Sequence, residues 1–331
     1  EESPFPPHLV QAQLRRIEDN VYPMEYVDLY RDSETSKVST KKSKKLPISE
    51  FPLSKSATSE QKEGVVVIYE RPDKDLVPFN TYYASLDPLH TGKTTASRSL
   101  CSIFIYKNPV EVTKEKEDGT YETYFEGDKL VAEWTGRLDD IEAVHERCEL
   151  LLELYQAWCL IEFNGSFHTY MTGKRKTHYL VPSNQMIFNK ELTASYSPNH
   201  PYGWKNTGTV FKTKILPYGI EYLTEELDSD ILPNGNKIVK RWGIERVQGS
   251  RMLLKEMQQY HDGINVDRLV AYCALIAFAK IQQSNRAIIK KREHKSNTQE
   301  NRDIYKHKPQ PFSNRSSSMS RPARSPFKNY G

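Results

Sequence analysis

The chain has 331 residues, 27% of them charged, and a formal net charge of +4, with a mean hydropathy of -0.70. That length allows one or two domains with a full core, and no run approaches the roughly 18 apolar residues that a membrane span requires. Four cysteines (Cys101, Cys148, Cys159, Cys273) show neither CxxC pairs nor a secreted framework, so reduced core thiols in a cytosol-like compartment are expected. No signal-peptide pattern is present, and the start at Glu1 rather than Met is expected for a fragment of a longer protein.

In chain order, residues 1–63 are rich in Pro, Ser, Lys and Glu and read as a largely irregular tether, with one short amphipathic stretch at Leu9–Leu14. The ordered core is expected over 64–283. It opens with the β-branched run Val65–Tyr69, followed by strands at Thr81–Asp87 and Ser102–Tyr106. Turns at Asp118-Gly119 and Glu126-Gly127-Asp128 frame Tyr121–Phe125 and lead into Leu130–Trp134, the pattern of an antiparallel meander. The period then changes. Leu138, Ile141, His145, Cys148, Leu152 and Tyr155 recur at three- and four-residue steps and predict a helix, with Asp139 and Asp140 favouring its positive end. A strand at Trp158–Phe163 turns at Asn164-Gly165 into a short helix, and another strand is expected at His178–Val181. Helices are expected from Thr209 to Leu216, ended by Pro217, from Val247 to Tyr260, and from Asp267 to Gln283. Residues 284–331 lose apolar content and read as a basic disordered tail. The fold class is α/β, with a mixed central sheet that includes the meander and is flanked by helices.

Three acids sit where apolar segments begin or end: Asp87, Glu162 and Asp267. Each has a structural explanation. Asp87 before Pro88 can simply end a strand, and Asp267 can be an ordinary helix-start residue. Glu162 is harder to explain so, because a carboxylate in an apolar strand is costly without a partner. As a set they are candidate oxygen ligands for Mg²⁺ or Mn²⁺. Two such ions about 4 Å apart activate water and stabilise the leaving oxygen in phosphodiester hydrolysis.

These segments resemble the nuclease domain of the large terminase subunit of tailed phages, which is RNase H-like. The resemblance runs from Val65 to Gln283. It rests on Ala84-Ser85-Leu86-Asp87-Pro88, on Ile161-Glu162-Phe163-Asn164-Gly165 and on Val266-Asp267-Arg268-Leu269-Val270-Ala271, with Val131–Gly136 and the helix ending at Tyr155 between them. It implies an RNase H-like fold and a two-metal endonuclease for double-stranded DNA, with Asp87, Glu162 and Asp267 as catalytic metal ligands. It also implies an ATPase domain upstream, a portal ring and a small terminase subunit as partners, and a place at the procapsid in the host cytoplasm. The chain departs from the family twice. Pro88–Thr95 lacks the further aspartate often found there, and Val266-Asp267 stands where paired aspartates are common. Asp262 is the nearest spare carboxylate and a candidate auxiliary ligand.

Other signals are weaker. Gly92-Lys93-Thr94-Thr95 imitates a P-loop end, but Asp87 stands where the motif requires glycine. His168, His178 and His261 lack metal-ligand spacing, and His90 reads as a loop residue. Lys93, Lys174, Arg175, Lys176, Lys205 and Lys212, with Lys214, are candidate DNA-backbone contacts. The basic blocks Lys41–Lys45 and Lys290–Lys295 read as solvated linkers more readily than as phosphate-binding arms. Two alternatives stay open: a non-catalytic DNA-binding or portal-docking module with structural acids, and a recombinase or resolvase on the same fold.

Overall fold

The computed structural model describes residues 3–54, 56–73, 79–89, 99–162, 165–183, 201–204, 208–261, 264, 266–285 and 289–293. In chain order the strands are β1 (Glu25–Arg31), β2 (Val38–Lys42), β3 (Val66–Ile68), β4 (Tyr82–Asp87), β5 (Cys101–Lys107) and β6 (Val110–Glu115). They continue as β7 (Tyr121–Glu126), β8 (Lys129–Gly136), β9 (Trp158–Ile161), β10 (Glu226–Ile231), β11 (Lys237–Trp242) and β12 (Ile289–Glu293). The main helices are α1 (Pro7–Glu18), α2 (Ser59–Glu63), α3 (Ile141–Tyr155), α4 (Gly165–Gly173), α5 (Leu216–Thr224), α6 (Arg251–Gln259) and α7 (Asp267–Asn285).

The fold is mixed α/β. A seven-stranded sheet runs in the order β2-β1-β3-β8-β5-β4-β9. Every neighbouring pair in it is antiparallel except β4 and β9, which are parallel. β4 and β5 are almost wholly apolar because helices cover both faces of the sheet. On one face Tyr82, Ala84, Leu86, Ile103 and Ile105 pack with Val144, Cys148 and Leu151 of α3 and Phe167 and Met171 of α4. On the other, Tyr83, Phe104 and Trp158 pack with α1, α5, α6 and α7. Helix α7 is buried nearly all round through its middle, from Leu269 to Ala279, as its apolar sequence requires. Among the described residues no helix is long and apolar enough to cross a membrane.

Several expectations are corrected. The first 63 residues are not an irregular tether: β1 pairs with β3 in the main sheet, and Phe5, Leu9, Val10 and Ile17 enter its core. The lysine- and serine-rich composition around them hid a strand that needs only one buried face. The meander is also different. β8 pairs with β5, whereas β6 and β7 leave the sheet as a separate hairpin that β12 joins in parallel. Thus residues 289–293 of the expected tail form a strand, and 294–331 lie outside the described residues.

Pro217 does not end its helix. A π-turn at Phe211–Ile215 widens the chain, the Leu216 N–H reaches the Phe211 carbonyl, and Pro217 sits in the first turn of α5 as the helix continues to Thr224. The strand expected at 178–181 is instead a 3₁₀ turn, Thr177–Tyr179, followed by a single bridge from Leu180 to Cys159. The β10–β11 hairpin was not foreseen, although Asn234-Gly235 marks its turn.

Val10 is fully buried under the sheet. Val10→Asp is therefore expected to destabilise the protein by more than about 3 kcal/mol in chemical denaturation; a tether residue would leave the unfolding midpoint unchanged.

Candidate metal and active site

β4 is buried along its length except at Asp87, its last residue, which still pairs with Ser102 of β5. Parallel pairing sets Tyr83, Ala84, Ser85 and Leu86 opposite Trp158, Cys159, Leu160 and Ile161. The Glu162 N–H then donates to the Leu86 carbonyl at 3.2 Å, so the acids that follow the two strands lie side by side. Alternation fixes the face they share. Tyr83 and Trp158 meet Phe278 of α7 at ring-centroid distances of 5.1 and 5.7 Å. Asp87 and Glu162, each four residues on, therefore face the α7 side of the sheet. Asp267 is the first residue of that helix, which runs against β4 and β5.

Glu162 and Asp267 are thus both brought within electrostatic reach of Asp87. The Asp87 carboxyl is held well above its ordinary value, first by burial and then by repulsion from Asp267, Glu162 and Glu256. Glu256 is a fourth acid near Asp87. It lies on α6 among Met252, Leu253, Leu254 and Met257, all buried, and is itself only 1% exposed. The detectable signal was a glutamate in the apolar stripe of a helix, at a position three residues beyond Leu253 where a hydrophobe is the rule. Its Oε2 accepts the Leu269 N–H at 2.9 Å, and its Oε1 lies 2.9 Å from Arg268 Nε without the alignment of a hydrogen bond. Burial pushes its carboxyl up to about 7, against the opposing pull of Arg268.

Arg268 is 6% exposed, and its guanidinium lies 5.4 Å from the Phe51 ring. Its positive charge favours the ionised forms of Asp87, Glu256 and Glu133. Glu133, on β8, is raised by burial and tied by hydrogen bonds from Ser250 Oγ at 2.5 Å and from the Tyr69 hydroxyl at 2.7 Å. Ser85 shares the Asp87 face one residue pair back, and its buried Oγ has no hydrogen-bond partner.

The donor chemistry suits a hard divalent cation: acids lie at one sheet end, and their repulsion at Asp87 is not fully offset by Arg268. As they stand, no three His, Cys, Asp or Glu side chains among the described residues are close enough together to hold an ion. Asp262 lies outside the described residues.

The proposed DNA contacts are scattered. Lys176 is engaged by Glu149 and Glu153 of α3, which ties it to the scaffold. Lys174 lies over the Tyr170 ring at 5.5 Å, and Arg175, exposed, takes a left-handed backbone with φ of 57°. Both follow α4, whose length of nine residues sets them about 13 Å beyond its start near Glu162. Lys212 and Lys214 are exposed on the π-turn. Lys93, Lys205, His90 and the P-loop imitation lie outside the described residues. All four cysteines are buried free thiols.

No family model, curated protein or solved structure matches the chain.

The raised carboxyls give a signed pH dependence. Glu256 binds its proton more tightly in the folded state, so its contribution to stability is fully present below its ordinary 4.5 and is lost as pH rises through about 7. The shift corresponds to at most about 3 kcal/mol. In EDTA the melting temperature is expected to fall between pH 5 and pH 8, and Glu256→Gln is expected to flatten that slope; a flat wild-type profile would contradict the assignment.

Proposed function

We propose that this chain is a divalent-metal-dependent endonuclease with an RNase H-like fold, acting on double-stranded DNA in the manner of the terminase nuclease domains it resembles. The single observation that carries the reading is that Glu162 and Asp267, distant in sequence, both act on Asp87 at the end of the β4–β9 pair, which among the described residues is the parallel pair of an otherwise antiparallel sheet. The antiparallel run β8-β5-β4, the parallel neighbour β9 and the helices on both faces support the RNase H-like reading.

Asp87, Glu162 and Asp267 would hold Mg²⁺ or Mn²⁺. Bound there, the ions supply water activation and stabilisation of the leaving oxygen at a phosphodiester. The chain's own contribution is placement. Strand ends fix Asp87 and Glu162 more tightly than a loop could, and the helix start fixes Asp267. Arg268 offsets part of the negative charge that would otherwise repel the DNA backbone. Contacts to the DNA phosphates would carry little sequence preference. A packaging role beside an upstream ATPase domain, a portal ring and a small terminase subunit follows from the same resemblance.

Asp87→Ala and Asp267→Ala are expected to lower Mn²⁺-dependent plasmid cleavage by at least about 100-fold while the protein stays folded. Undiminished cutting by the purified, folded variants would sink the assignment. Mn²⁺ should also raise the wild-type melting temperature, by mass action on the folded state. Absence of both cleavage and that rise favours a DNA-binding module with structural acids.

A further inference from the structure

We infer that Glu256 and Arg268 are positioning residues that fix the orientation of Asp267 toward the other acids, an inference that rests on the nuclease reading. The first turn of a helix leaves its N–H groups without intrahelical partners, and here one of them is satisfied from outside the helix. The Leu269 N–H donates to Glu256 Oε2 at 2.9 Å, across from the neighbouring helix α6. The preceding residue, Arg268, turns inward to the other oxygen of the same carboxylate, at 2.9 Å. Both residues that directly follow Asp267 are thus held by one buried side chain. The Leu269 N–H, at the positive end of α7, favours the ionised form of Glu256 against the burial that raises its carboxyl.

Helix α6 is anchored in turn. Ser250, the residue before it, donates to Glu133 of β8 at 2.5 Å, and Glu133 accepts from Tyr69 at 2.7 Å. A continuous path of hydrogen bonds and backbone therefore runs from the sheet through α6 to the first turn of α7. Stability alone does not account for such a pair. Buried ion pairs are often replaced by apolar residues of similar size with no loss, or with a gain, in stability. What apolar residues cannot do is hold the backbone of residues 268 and 269 at one angle to the ends of β4 and β9.

The test uses the full chain and the variants Glu256→Gln, Arg268→Met and the double Glu256→Gln/Arg268→Met. The glutamine keeps an acceptor for the Leu269 N–H while removing the charge. Three quantities are measured: the metal-free melting temperature, Mn²⁺ affinity from the loss of the free-ion electron paramagnetic resonance signal, and the Mn²⁺ concentration for half-maximal plasmid cleavage. The double variant is expected to melt close to the wild type yet to need about 10- to 100-fold more Mn²⁺ by both metal readouts. A folded double variant with wild-type Mn²⁺ affinity overturns the inference and leaves the nuclease reading intact. If the double variant fails to fold, the single variants decide on the same readouts, and unchanged Mn²⁺ affinity in both overturns it. A wild-type protein that neither binds Mn²⁺ nor cuts overturns the nuclease reading and this inference with it.

Discussion

Repulsion among carboxylates gathered at one end of the sheet is the constraint around which the rest of this structure is arranged. Asp87 feels Asp267, Glu162 and Glu256 together, in surroundings that are largely desolvated. Such a group is unfavourable unless something else holds it in place. The holding elements are rigid: a parallel strand pair buried on both faces, and a helix apolar nearly all round. Arg268, a cation built into the site, is itself buried against Glu256 and the Phe51 ring. The core thus supports an arrangement that would not persist in a flexible loop.

The path from the core to the acids also explains why the N-terminal region matters. Phe51 covers the Arg268 guanidinium, and its carbonyl accepts from Gln259 of α6 at 3.3 Å. The Gln13 side chain donates to the Gln248 carbonyl at 2.8 Å, just ahead of α6. Residues that compose a polar, basic stretch in sequence are therefore part of the wall that shields the pair behind Asp267. Their own strand, β1, extends the sheet beyond β3.

Particular residues show where reading from sequence succeeds and where it stops. Asp87, Glu162 and Asp267 were legible because each interrupts an apolar run, and polarity inside such a run is a local property. Glu256 was less so: its place in the apolar stripe of α6 is a signal, but only its contacts show that it is buried against Arg268 and the start of α7. β1 escaped notice because a strand buried on one face needs few apolar residues. The pairing of β8 with β5 rather than β7 was likewise hidden, since the turn at Glu126-Gly127-Asp128 is compatible with either partner. Pro217 misled because a π-turn supplies room that a regular helix lacks.

Sequence by itself determined the α/β class, the apolar strands and helix of the core, and the three acids at their ends, because hydrophobic period and its interruptions are local. Tertiary structure alone decided that those acids lie at one end of the sheet, that a fourth stands beside them with its arginine, and that Lys176 is committed to α3. The reason is physical. Which strand ends are neighbours depends on the pairing of β4 with β9, a contact between segments about 75 residues apart whose formation no local pattern encodes.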